Sequence, residues 1–81
     1  MSKSTVKGEV SRITLCPFPG PLSYVRIDGK TYEFIEQSSV RRVLAMTQAS
    51  DHVELTFENR DRMLTLVHIH NEVLGESAGK N

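Results

Sequence analysis

The sequence predicts a mainly β protein with one helix, in which five strands form a small barrel and the helix lies between the third and fourth strands. Three observations lead to this prediction. The chain has 81 residues, which is the length of a single domain. Most of its apolar residues alternate with polar ones, the period of half-buried strands. Residues 40–47 instead space their apolar side chains three and four positions apart, as on one face of a helix.

The composition excludes several classes of protein. Apolar residues make up 38% and charged residues 25%, which is the composition of neither a disordered nor a membrane protein. Ten basic residues balance ten acidic ones, and this excludes the strongly basic signature of a non-specific nucleic-acid binder. A single cysteine forms no disulfide within the chain. Because the sequence shows no membrane span and no secretory signal, we expect a cytoplasmic protein.

The first predicted strand, residues 5–15, changes the phase of its apolar pattern between Val10 and Ile13. A slip by one residue in a period of two implies a β-bulge, here near residues 11–12. A bent and bulged strand can take part in two sheets at once. The prolines of residues 16–21 then end the strand, because proline cannot donate a hydrogen bond to a central ladder.

A hairpin is the strongest local signal in the sequence. Asp28-Gly29 stands between two alternating runs, and both residues suit the positive φ angles of a two-residue type I′ turn. The turn fixes a register that pairs Ile27 with Lys30, Arg26 with Thr31, Val25 with Tyr32 and Tyr24 with Glu33. The face assigned to the core carries Val25, Ile27, Tyr32 and Phe34. The opposite face carries Leu22, Tyr24, Arg26, Thr31, Glu33 and Ile35.

The helix is predicted to begin at Ser38 or Ser39, since either serine can cap its first turn. Its apolar face consists of Val40, Val43, Leu44 and Thr47. We expect a length of about three turns, ending near residues 49–51.

Two further strands, residues 53–58 and 63–70, complete the predicted order. The last strand carries apolar residues on both of its faces. A four-residue turn before it pairs Phe57 with Leu64, whereas a three-residue turn pairs Phe57 with Met63. Either register leaves one apolar row outside the barrel.

The predicted elements form one domain over residues 5–74, with a flexible N-terminus at residues 1–4 and a flexible polar tail at residues 75–81. Their order, with a bent first strand and a helix after the third, resembles the OB-fold, a five-stranded Greek-key barrel. The resemblance is one of topology and covers about residues 5–70. A flat sheet covered by one helix is the alternative architecture.

The resemblance also implies a binding surface. In OB-folds the outer face of strands 2 and 3, with the loops beside it, binds oligonucleotides or oligosaccharides. The residues at these positions are Phe18, Tyr24, Arg26, Arg60 and Arg62. Because aromatic rings stack on bases and guanidinium groups contact phosphates, we expect weak binding of single-stranded nucleic acid. The simpler interpretation is a solvated hairpin, with Phe18 folded over one end of the barrel.

A protein-interaction or assembly module is the first alternative function. A domain of this size buries little surface on folding, so extra burial against a second copy would stabilise it. The apolar residues available for a homodimer interface are Leu22, Ile35, Val67 and Ile69. The helix or the residues after the last strand can instead cover them within one chain.

A metal site at the histidines is the second alternative. Pairing of the last two strands brings His52 near His68 and His70, and a His-x-His pair can supply two ligands for zinc. This spacing is unspecific, so we predict no metal and no cofactor. The sequence also lacks a Gly-rich phosphate loop and a nucleophile elbow, and we therefore predict that the protein is not an enzyme.

Overall fold

The structure is a computed structural model that describes residues 3–15 and 22–79. These residues form six strands, one 3₁₀ turn and one short helix. In chain order they are β1 (Lys3–Thr14), β2 (Ser23–Ile27), β3 (Lys30–Glu36), the 3₁₀ turn (Ser38–Val40), α1 (Arg41–Met46), β4 (His52–Arg60), β5 (Met63–Asn71) and β6 (Glu76–Gly79). Over these two stretches of chain, no helix is both long enough and apolar enough to cross a membrane.

The hairpin of β2 and β3 confirms the predicted register. Tyr24 pairs with Glu33, and Ile27 pairs with Lys30. The turn residues Asp28 and Gly29 have φ angles of 50° and 80°, as a type I′ turn requires. The predicted inner face is also confirmed, with Val25, Ile27 and Phe34 buried and Tyr32 half-buried.

Strand β1 belongs to two pairings, as its broken pattern predicts. Residues Lys3–Glu9 pair with β4, and residues Val10–Thr14 pair with β2. The register between β1 and β2 shifts between Val10 and Arg12, which confirms the predicted bulge. Since β1 begins at Lys3, part of the N-terminus predicted to be flexible is instead a paired strand.

Gly8 lies where the hairpin tip approaches β1. A Cβ atom at this position would stand 2.5 Å from Cγ2 of Ile27 and 2.6 Å from Oδ2 of Asp28. These separations are shorter than real Cβ contacts, so a side chain here would push the hairpin away. Glycine therefore allows β1 to bend closely around the end of β2.

The strand order is β3-β2-β1-β4-β5-β6, and a parallel pairing between β3 and β5 joins the sheet into a barrel-like ring. In that pairing Ile35 lies beside Thr65, and Glu36 lies beside Leu66. The other five pairings are antiparallel. The mainly β prediction is confirmed, with one helix between the third and fourth strands.

Both predicted registers for β4 and β5 are wrong. The turn contains only Asp61 and Arg62, with φ angles of 50° and 66°, and Phe57 pairs with Leu66. A bulge at Val67 then shifts the register by one residue. It changes the phase of β5, so that Leu66 and Ile69 both face the core although their positions differ in parity.

This bulge also corrects the predicted interface. Ile69 is fully buried in the core, and Val67 keeps only 4% of its surface exposed. Neither residue therefore belongs to an exposed apolar row. The two other predicted interface residues remain accessible, because Leu22 is half-buried and Ile35 is exposed.

The sixth strand falls inside the predicted tail. Residues 76–79 pair with β5, with Ala78 opposite Ile69. The side-chain oxygen of Asn71 accepts hydrogen bonds from the backbone N–H groups of Val73 and Leu74, and this turns the chain back along β5. A short polar sequence gives no hydrophobic period, so only the pairing partner reveals this strand.

The helix is shorter than predicted, and neither serine caps it by a side-chain hydrogen bond. Thr47 already has extended backbone, with ψ at 135°. Its hydroxyl donates to the carbonyl of Val43 at 2.9 Å and accepts from the Asn71 amide at 3.2 Å. These bonds hold the buried Thr47 against β5 and end the helix there.

The core lies inside the ring and beneath the helix. Phe57 is at its centre: its ring stacks on Tyr32 with centroids 5.6 Å apart and tilts against Phe34 at 5.5 Å. The core cluster consists of Val10, Val25, Ile27, Phe34, Val40, Val43, Leu44, Val53, Leu55, Phe57, Leu66 and Ile69. Every strand from β1 to β5 contributes to it, so the outer faces are positioned by one common core.

Candidate functional site

A groove of about 580 Å³ lies on the outer face of β2 and its two neighbours, β1 and β3. It is open to solvent. Its lining residues are Ser11, Arg12, Thr14, Tyr24, Arg26 and Thr31. The structure therefore brings together Tyr24 and Arg26, which the sequence predicted for a binding face, and adds the last part of β1 to them.

The groove has two rungs of paired residues. In the first rung, Arg26 lies between Arg12 on β1 and Thr31 on β3. In the second rung, Tyr24 lies between Thr14 and Glu33. Rungs that share a sheet face are two residues apart, or about 7 Å along the strands.

Arg12 reaches this face because of the bulge in β1. Without the register shift, Arg12 would stand opposite Val25, whose side chain is in the core. The extra residue, Ser11, instead directs Arg12 outward and opposite Arg26, and its hydroxyl donates to the Arg26 carbonyl at 3.2 Å. The sequence analysis did not include Arg12 among the binding residues, although the predicted bulge at residues 11–12 was a signal that could have identified it.

The two arginines of the groove have no acidic partner among the described residues. Within residues 3–15 and 22–79, neither Arg12 nor Arg26 forms an ion pair with a carboxylate. Other basic residues do form such pairs, as Lys7 does with Glu54 at 3.1 Å. Because Arg12 and Arg26 stand opposite each other, this rung concentrates unbalanced positive charge. Like charges in this position destabilise a sheet.

Tyr24 presents an accessible aromatic ring beside this charge. The side chain is 40% exposed, a large fraction for an aromatic residue. The Glu33 carboxylate, through its charge and then through a hydrogen bond, raises the pKa of the Tyr24 phenol. The exposed ring of Tyr24 can serve as a stacking platform.

The predicted residues of the last loop, Arg60 and Arg62, do not line the groove. Arg60 ends β4, and its Nε donates to the buried carboxylate of Glu58. This hydrogen bond is the main cause that lowers the pKa of Glu58. Arg62 is exposed in the turn after β4. Phe18 lies outside the described residues.

The three histidines lie along β4 and β5. His70 shares a 2.6 Å hydrogen bond with the Ser77 hydroxyl, His68 stands opposite Thr56, and His52 is exposed opposite Glu9. Among the described residues, no group of three or more histidine, cysteine or acidic side chains could hold a metal ion.

No family model, no curated protein and no solved structure matches this chain.

Proposed function

We propose that this protein is a small binding module for single-stranded nucleic acid, and that the groove on β1, β2 and β3 is its binding site. The observation that carries the proposal is that Arg12 and Arg26 stand opposite each other, without an acidic partner among the described residues, next to the exposed ring of Tyr24. A guanidinium group can donate two parallel hydrogen bonds to two oxygens of one phosphate, and an aromatic ring can stack on any base. The groove supplies both groups about 7 Å apart.

We also propose that the ring has OB-like topology. The antiparallel pairings β1–β2, β2–β3, β4–β5 and β1–β4 support it, together with the parallel pairing β3–β5 and the helix between β3 and β4. In this topology the groove corresponds to the surface that binds oligonucleotides in OB-folds. Strand β6 is then an addition that pairs with the second half of β5.

The charge of the protein sets the expected strength of binding. With a formal net charge of zero, the molecule has no overall field to attract a polyanion. Binding then depends on the local positive charge of Arg12 and Arg26, and we expect it to be weak and non-enzymatic. We place this function in the cytoplasm and assign no cofactor to it.

The burial of two predicted interface residues favours this function over an assembly module that uses the last strand. Val67 and Ile69 offer almost no surface to a second copy of the chain. Tyr24, by contrast, is exposed in the groove and available to a ligand.

The test is the affinity for a fluorescent, mixed-sequence single-stranded oligonucleotide, measured by anisotropy at several salt concentrations. We expect Arg12→Ala and Arg26→Ala each to weaken binding about tenfold, because each removes a charge-assisted contact. Each should also reduce the salt slope by about 0.7, the value for one phosphate contact on a single strand.

Arg42→Ala is the matched control. Arg42 lies on α1 and pairs with Glu76 at 3.7 Å, so its loss changes the net charge equally but does not touch the groove. We expect its affinity to stay within about twofold of the wild type. An oligonucleotide that fails to bind, or that loses equal affinity in all three variants, would contradict the proposed site.

A further inference from the structure

One carboxylate stands directly beside the aromatic platform of the groove. Glu33 pairs with Tyr24 across β2 and β3, and both side chains are on the outer face. Side chains directly opposite each other in an antiparallel pair have Cβ atoms about 5 Å apart. A base that stacks on Tyr24 would therefore lie within reach of this carboxylate.

Glu33 has no basic partner among the described residues. No ion pair joins it to a lysine or arginine in the part of the chain that the structure describes. Its nearest cross-strand neighbour is the neutral phenol of Tyr24. An exposed carboxylate beside a groove for a polyanion opposes binding, unless it contacts a part of the ligand that donates hydrogen bonds.

The first rung gives the groove a cationic end, and Glu33, which borders the groove beside Tyr24 without lining it, gives the second rung an anionic end. The rung of Arg12 and Arg26 attracts phosphate, and the rung of Glu33 repels it. This separation favours one orientation of a nucleotide, with its phosphate at the arginines and its base over Tyr24. The base edge then faces the carboxylate.

We propose that Glu33 reads this base edge and makes the groove prefer guanine, an inference that rests on the proposed function. An ionised carboxylate only accepts hydrogen bonds, and it can accept two in parallel through its two oxygens. Guanine presents adjacent N1–H and N2–H donors on one edge. Adenine and cytosine present only an amino group there, and thymine presents only one imide N–H.

The existing contact with Tyr24 is compatible with this reading. A carboxylate has about four lone-pair positions, so two hydrogen bonds from guanine leave room for one from the phenol. The base and the phenol then share the same acceptor. Glu33 is thus a specificity-determining residue, whereas Arg12 and Arg26 bind every sequence alike.

The experiment uses five-nucleotide single-stranded DNA probes that contain thymine everywhere except at one variable central position. We expect the wild-type protein to bind the guanine probe about tenfold more tightly than the thymine probe, with adenine and cytosine between them. A hypoxanthine probe lacks the N2 amino group, and we expect it to lose most of this preference.

Glu33→Gln is the decisive variant, because it keeps the size of the side chain and removes the paired acceptors. We expect its guanine and thymine affinities to differ by less than about twofold, with thymine bound at least as tightly as by the wild type. Glu72→Gln is the matched control, since Glu72 is exposed in the turn after β5 and loses the same charge. It should keep the wild-type preference.

The outcomes separate this inference from the proposed function. Equal binding of all four probes by the wild type, or a guanine preference that survives in Glu33→Gln, overturns the role of Glu33 and leaves the binding site intact. If no probe binds, or if neither Arg12→Ala nor Arg26→Ala changes the affinity for any probe, the proposed function itself is overturned.

Discussion

The two outer faces that share β1 differ in how their charged residues are paired across strands. On the face of β1 and β4, charged and polar residues meet partners: Lys7 pairs with Glu54 at 3.1 Å, and the hydroxyls of Thr5 and Thr56 are 3.4 Å apart. On the face of β1 and β2, Arg12 stands opposite Arg26. The bulge in β1 is the boundary between the two faces.

The difference separates a face whose cross-strand charges are balanced from one whose charges are not. Cross-strand pairs of opposite charge stabilise a sheet, and pairs of like charge destabilise it. The β1–β4 face follows this rule, and its Glu58 and Thr56 are nearly buried. The groove departs from the rule at one rung, and such local departures are expected where a ligand supplies the missing charge.

The largest expected effect comes from breaking the core that supports both faces. Phe57→Ala removes a fully buried ring that contacts Tyr32 and Phe34, and we expect it to lower the free energy of unfolding by about 3–5 kcal/mol. Urea denaturation measures this loss. Phe57→Leu should lose clearly less, because it leaves a smaller cavity. A small loss in Phe57→Ala would show that the faces do not depend on one core.

The next effect concerns the buried Asn71, which joins the helix end to β4, β5 and the following turn. Its amide donates to Thr47 and to Asp51, and its oxygen accepts from two backbone N–H groups. We expect Asn71→Ala to cost about 2–3 kcal/mol, since it removes four hydrogen bonds, of which the one to Thr47 is buried. Asn59→Ala, at an exposed position, is the matched control and should cost little.

Asn71→Ala should also change the response to acid. The hydrogen bond from Asn71, and then the backbone N–H of Gln48, lower the pKa of Asp51 below its usual value. A carboxylate with a lowered pKa in the folded state stabilises the fold above its usual pKa, and this contribution is lost as the pH falls through the folded value. We therefore expect the wild type to lose more stability than the variant as the pH falls below about 5, through the lowered pKa of Asp51. Parallel losses would contradict this role of Asn71.

The smallest expected effect is a change in stability when the charge of one β1 residue is reversed on each of the two faces. Arg12→Glu places a carboxylate opposite Arg26, and we expect it to stabilise the fold by about 0.2–1 kcal/mol while it removes oligonucleotide binding. Lys7→Glu places a carboxylate opposite Glu54, and we expect it to destabilise the fold by a similar amount. Urea midpoints of the two variants provide the measurement. Destabilisation by Arg12→Glu would argue against an unbalanced arginine rung.

The predictable parts of the fold are those in which local pattern and pairing agree. The Asp28-Gly29 turn fixed its own register, and the phase change before Ile13 located the bulge. Tyr24 and Arg26 followed from that register. The missing site residue, Arg12, required knowledge of which neighbour the bulged strand would face.

The less predictable parts depend on contacts between distant segments. Arg62 is an unusual residue for a turn position with positive φ, so the register of β4 and β5 could not be inferred from the turn. The bulge at Val67 changes the phase of β5, so apolar residues from both of its predicted faces are buried within one chain. Strand β6 and the early end of α1 both depend on hydrogen bonds of Asn71.

The sequence by itself determined the mainly β class, the hairpin, the bulged first strand and the face of Tyr24 and Arg26. Alternation and turn chemistry act between near neighbours, so they can be read along the chain. The tertiary structure alone decided the closure of β3 on β5, the docking of β6 and the opposition of Arg12 to Arg26. These features require residues that are distant in sequence to meet, and their register is set by the shared core that buries Phe34, Phe57 and Ile69.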